Sequence, residues 1–120
     1  MGKMPVFGDF VTASVGTTET KVGTISVPAG SRLISIVVAT QGTGAPLYVR
    51  LDYAGIQTPK KFLVPQMYSK TGTPTGSGVT PSSACEIPID EPITTDKNID
   101  IYAVCDTAST PLYVGLKWVR

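Results

Sequence analysis

The stretch TGAPLYVRLDY, Thr43 to Tyr53, recurs sixty-five residues later as ASTPLYVGLKW, Ala108 to Trp118. In the first copy Leu47, Val49, Leu51 and Tyr53 alternate with Tyr48, Arg50 and Asp52. In the second, Leu112, Val114, Leu116 and Trp118 alternate with Tyr113, Gly115 and Lys117. A period of two puts one set on a core and the other toward solvent or a partner. The repeat extends upstream at the same offset: Ile34 and Ile36 match Ile99 and Ile101, and Arg32 matches Lys97. Each half therefore reads as an Ile-x-Ile strand, a five-residue turn ending in Pro, and a Leu-Tyr-Val strand. Short β segments also resemble one another by composition alone. The alternative is two similar antiparallel motifs related by a pseudo-twofold, as two Greek keys make a jelly roll.

Working outward, short β-rich runs alternate with Gly/Pro turns, and no window has helical periodicity. Eight strands are expected, at roughly 6–15, 20–27, 32–41, 47–54, 56–65, 84–90, 97–105 and 111–119. Pro28-Ala29-Gly30-Ser31 supplies a fixed φ and then a Gly free to take φ > 0, the chemistry of a tight turn. Strand 32–41 is apolar on both sides, with Ile34, Ile36 and Val38 on one and Leu33, Val37 and Ala39 on the other. That predicts a central strand, or one covered by a neighbouring subunit. The expected fold is all-β: about eight antiparallel strands in a jelly-roll or Greek-key β-sandwich with an internal twofold-like repeat, one domain over 1–120. An immunoglobulin-like sandwich is the rival, but the single Trp lies in the last strand without the Cys…Trp…Cys order.

Composition restricts function. Ten basic and nine acidic residues leave a net charge of +1, which advertises neither a nucleic-acid partner nor an acidic membrane surface. No apolar run approaches the roughly 20 residues of a membrane span, and MGKMPVF lacks the apolar core of a signal peptide. There is no histidine, so a Ser-His-Asp triad, a Cys-His dyad and a His-containing zinc site are excluded within one chain. Glu86 and Asp90 straddle Ile87 and Ile89 and could form a carboxylate pair; a solvated strand end accounts for them more simply. No catalytic, cofactor-binding or metal-ligating set emerges, and the expectation is that the chain is not an enzyme. The only two cysteines, Cys85 and Cys105, would lie opposite each other if strands 84–90 and 97–105 formed a hairpin near Thr95. A disulfide there would contribute about 3 kcal/mol in the chain-entropy model; the alternative is two buried thiols.

Two features point to contacts with other chains. Tyr68 to Ala84, YSKTGTPTGSGVTPSSA, reads as a long loop whose only sizeable aliphatic residue is Val79: either a surface excursion or an arm laid over a neighbour. The outward positions Tyr48, Tyr102, Val104 and Tyr113, with Val119 near the C-terminus, are candidate interface residues together with Tyr68 and Val79. A single Asn, Asn98, is consistent with chemical durability at high temperature.

This small, neutral, Thr/Gly/Pro-rich β chain, with turns such as Val27-Pro28-Ala29-Gly30-Ser31-Arg32, resembles the single-jelly-roll capsid and decoration (cement) proteins of bacterial and archaeal viruses. The resemblance is one of texture and strand count. It implies a self-assembling subunit of a virion, assembled in the host cytoplasm, whose partners are copies of itself and other virion proteins. The first twenty residues carry Lys3 as their only basic side chain, so direct contact with nucleic acid is not expected. Two other uses of such a chain are a carbohydrate-binding module with a row of Tyr48, Tyr102 and Tyr113, and a filament subunit donating residues 3–15 as a strand.

Overall fold

The computed structural model describes residues 5–41, 44–54, 60–64 and 82–120. They form eight strands: β1 (Val6–Val15), β2 (Thr20–Val27), β3 (Ser31–Gln41), β4 (Pro46–Asp52), β5 (Lys60–Leu63), β6 (Ser82–Ile93), β7 (Lys97–Cys105) and β8 (Thr110–Val119). Two four-stranded sheets have the orders β1-β8-β3-β6 and β2-β7-β4-β5, with antiparallel pairing throughout. The chain changes sheet at every connection except β4 to β5, which is the jelly-roll path. Among the described residues no helix is long and apolar enough to cross a membrane.

The repeated stretches explain this arrangement. Advancing each strand of β1-β8-β3-β6 by four, cyclically, yields β5-β4-β7-β2, which is the other sheet. The matched pairs β3/β7 and β4/β8 therefore sit in equivalent central places of opposite sheets. Their core sides meet: Val49, Leu51, Ile99, Ile101, Leu112, Val114 and Leu116 are all buried. Each such aliphatic side chain contributes about 2 kcal/mol by leaving water. At the β1–β2 margin the sheets close tightly, since a Cβ on Gly23 would lie 2.6 Å from a Val11 methyl.

Turns follow their local chemistry. Gly30 takes φ +84, its N–H donates to the Ile93 carbonyl at 2.8 Å, and the Ala29 N–H donates to Asp96 Oδ1 at 2.8 Å. Two bulges break the repeat. One, between Leu33 and Ser35, turns Leu33 onto the core and leaves Ile34 half-buried. The other, between Pro46 and Tyr48, leaves Leu47 47% exposed while its counterpart Leu112 is fully buried. Strand β3 is central in its sheet, flanked by β8 and β6; Leu33, Ile36 and Val38 form its core side, while Val37 and Ala39 lie half-buried on the outer face.

Several expectations change. The hairpin of 84–90 with 97–105 does not form, because β6 pairs with β3 and β7 pairs with β2 and β4. Cys85 lies opposite Val38 and Cys105 opposite Pro46; both thiols are free. The segment expected at 56–65 is strand only at Lys60–Leu63 among the described residues, and residues 82–84 of the expected loop belong to β6. The remainder of that loop, Tyr68 and Val79 included, lies outside the described residues.

Candidate functional site: the two outer sheet faces

Each sheet has one face on the core and one facing out, and the two outer faces differ in kind. On β2-β7-β4-β5, register places Tyr48 beside Val104 and Arg50 beside Tyr102. Glu19, in the β1–β2 turn, receives two hydrogen bonds from Arg50, at 3.1 Å from Nε and 3.0 Å from Nη2. The Tyr48 hydroxyl donates to the same carboxylate at 2.8 Å. The Arg50 guanidinium lies 4.2 Å above the Tyr102 ring and the Lys61 ammonium 4.3 Å from the Tyr48 ring. Charge-assisted bonds and cation–π contacts of this kind hold side chains flat against a sheet. The Arg50 and Tyr48 bonds hold the Glu19 carboxyl below its usual range, and Glu19 in turn raises both Arg50 and Tyr48. Further along, Asp100 accepts from Thr24 at 2.7 Å and pairs with Lys21 at 3.2 Å, which lowers its pKa in that order of effect. Ser26 donates to Asn98 at 2.7 Å. This face satisfies its own polar groups.

The outer face of β1-β8-β3-β6 carries an apolar patch. Phe10, Gly115 and Val37 lie side by side across β1, β8 and β3, and Thr12, Tyr113 and Ala39 form the next row. Between them runs a groove of about 430 Å³ floored by Gly8, Val37, Ala39 and Gly115. Gly115 leaves it open, since a Cβ there would press on the Asp9 carbonyl at 3.3 Å and the Phe10 Cβ at 3.4 Å. Phe10 is 61% and Tyr113 39% exposed; their rings meet at 6.3 Å with a 43° tilt. Polar groups stand at the rim. Glu86 accepts from Ser35 at 2.6 Å and from Lys117 at 3.2 Å, both of which lower its pKa.

The candidate interface residues therefore divide. Tyr48, Tyr102 and Val104 lie half-buried in the self-satisfied network; Tyr113 and Val119 belong to the opposite sheet. The aromatic row Tyr48–Tyr102–Tyr113 does not come together. Val37 and Ala39 belong to the second apolar side that the sequence marked on strand 32–41, and Gly115 to the outward set of β8; Phe10 was not singled out, although an outward-alternating Phe in a strand with one charge was a usable signal. Glu86 and Asp90 do not form an acid pair: Glu86 is held by Ser35 and Lys117, and Asp90 pairs with Arg32. Burial raises both thiols, Cys105 to about 11. Among the described residues no three His, Cys, Asp or Glu side chains gather as a metal site. Comparison with family profiles, curated proteins and solved structures finds no match to this chain.

Proposed function

We propose that this chain is a structural subunit of a virus particle, a capsid or decoration protein that works through contacts with copies of itself and with other virion proteins, and not through catalysis. The observation that carries this reading is the exposed apolar patch on one sheet of a jelly roll, set against a polar network across the outer face of the other sheet. Contiguous apolar surface on a small domain marks a contact site, and jelly rolls recur as shell subunits among other uses. Lys21, Arg32, Arg50 and Lys117 each pair with a carboxylate, which leaves them poorly placed to bind a polyanion. The carbohydrate-binding reading lacks its aromatic row. The donor-strand reading lacks a free donor, because Val6–Val15 is paired with β8 of the same chain along its whole length.

Electron microscopy of concentrated, purified protein tests the proposal. Closed particles or regular oligomers of one size are expected. A field of monomers at every concentration and salt contradicts self-assembly.

A further inference from the structure

The two sheets have four edge strands, and three of them carry features that discourage pairing with another chain. β6 contains Pro88 and Pro92 with Glu86, Asp90 and Glu91; β2 has a bulge between Lys21 and Gly23; β5 carries the Lys60-Lys61 doublet and, among the described residues, spans only Lys60–Leu63. Prolines, charges, bulges and shortness are the established ways in which proteins blunt a sheet edge. β1 differs. It runs ten residues, pairs with β8 without a register shift, contains no proline, and has Asp9 as its single charge. Val6, Phe7 and Phe10 are exposed along it.

The direction of its free backbone groups is also readable. The Phe10 N–H donates to Asp9 Oδ1 at 2.8 Å, not to β8. The Asp9 carbonyl instead lies against Gly115 on β8. Because N–H and C=O of one residue point to the same side and alternate along a strand, the backbone groups of Gly8, Phe10, Thr12 and Ser14 face the open edge. Among the described residues no strand pairs with that edge.

We infer that β1 is the contact between two copies of this chain, paired antiparallel about a twofold axis to join two β1-β8-β3-β6 sheets into one. The inference rests on the reading of the chain as self-assembling and names the surface through which it does so. A twofold perpendicular to the sheet sets one residue opposite its own copy. Phe10 in that place sets Val6 opposite Ser14 and Gly8 opposite Thr12, so that every edge-facing residue of β1 is paired. The two Phe10 side chains then meet on the outer side, at the end of the apolar groove. Asp9 falls opposite Val11, so no like charges face each other directly. Asp9 releases the Phe10 N–H to the partner's carbonyl as the strands join.

Phe10→Lys sets two ammonium groups face to face, and Thr12→Pro removes an edge-facing N–H, with the Thr12 hydroxyl's 3.0 Å bond to the Leu112 carbonyl of β8 as its one further loss. Both are compared with the wild type by sedimentation, with circular dichroism as a check on folding, and by amide hydrogen exchange. The wild type is expected to associate. The variants are expected to sediment at the monomer mass of 12.6 kDa with unchanged spectra. Exchange at the Gly8, Phe10, Thr12 and Ser14 amides should slow at least about tenfold on association of the wild type. Assemblies that persist in folded Phe10→Lys, with those four amides still exchanging fast, overturn this contact and leave the self-assembling subunit standing. A wild type that never associates removes both.

Discussion

The two sheets share a strand plan and differ in what they do with their outer faces. In β2-β7-β4-β5, Arg50, Glu19, Tyr48, Tyr102 and Lys61 answer one another, and water or a partner finds few unmet groups there. In β1-β8-β3-β6 the equivalent surface carries an apolar patch of Phe10, Val37, Ala39, Tyr113 and two glycines, beside the Ser35–Glu86–Lys117 cluster. A duplicated strand thus separates two tasks. Leu51 and Leu116 build the same core from both sides, while the residues between them diverge: Arg50 and Asp52 in one copy, Gly115 and Lys117 in the other. One sheet ties its outward residues to one another and the other leaves Phe10 and Tyr113 exposed.

The sharpest way to break this comparison is alkali. Cys105, fully buried in β2-β7-β4-β5, has its thiol pushed up to about 11 by loss of solvent. A folded pKa above the unfolded value contributes stability that is intact below about pH 8.5 and is lost as pH rises toward the folded value. The loss by pH 11 should be on the order of 2–3 kcal/mol. Thermal unfolding of Cys105→Ala should show a weaker alkaline decline than the wild type, and thiol reagents should label half-buried Cys85 well before Cys105.

Next in size is Arg50→Ala. It removes the two hydrogen bonds donated to Glu19 and the contact over Tyr102, and should cost about 2 kcal/mol, or roughly 6–10 °C in calorimetric melting temperature. Acid tests the same network from the other side. Glu19 and Asp100 have folded pKa values lowered by their partners, so the stability they supply is present above the ordinary carboxylate range and is lost as pH falls below about 4. Solvent screening keeps the combined effect near 1 kcal/mol. Glu19→Gln should melt lower at neutral pH and fall less between pH 6 and pH 3. Smallest is Phe10→Ser on the opposite face, expected to change monomer stability by less than about 0.5 kcal/mol in denaturant titration. A loss as large as that of Arg50→Ala would erase the division of labour.

Much of the fold was legible because alternation and turn chemistry are local. The limits of β2 and β7 and the left-handed Gly30 follow from residues within a few positions of each other. The bulges were not legible. A register shift depends on how β3 meets β6 and β8, and on how β4 meets β7, so Leu33 turning inward and Leu47 turning outward have no signature in their own segments. Pairing was less legible still. Cys85 and Cys105 lie on strands adjacent in sequence, and adjacent strands commonly form hairpins; here the chain crosses to the other sheet between them. The apolar patch was partly read: Tyr113 was identified by alternation and Val37 by the second apolar side of its strand, but Phe10 comes from β1, whose place beside β8 is a matter of long-range pairing.

Light scattering of the wild type and Phe10→Ser, from dilute to concentrated protein and from low salt to 1 M, tests most directly that the apolar sheet is the contact surface. Burial of apolar area is not weakened by screening, whereas contacts between charged faces are. The wild type should form assemblies whose mass holds or grows as salt rises, and Phe10→Ser should remain smaller throughout. Monomers at every condition, or assemblies that dissolve with salt and ignore the loss of Phe10, would contradict the account.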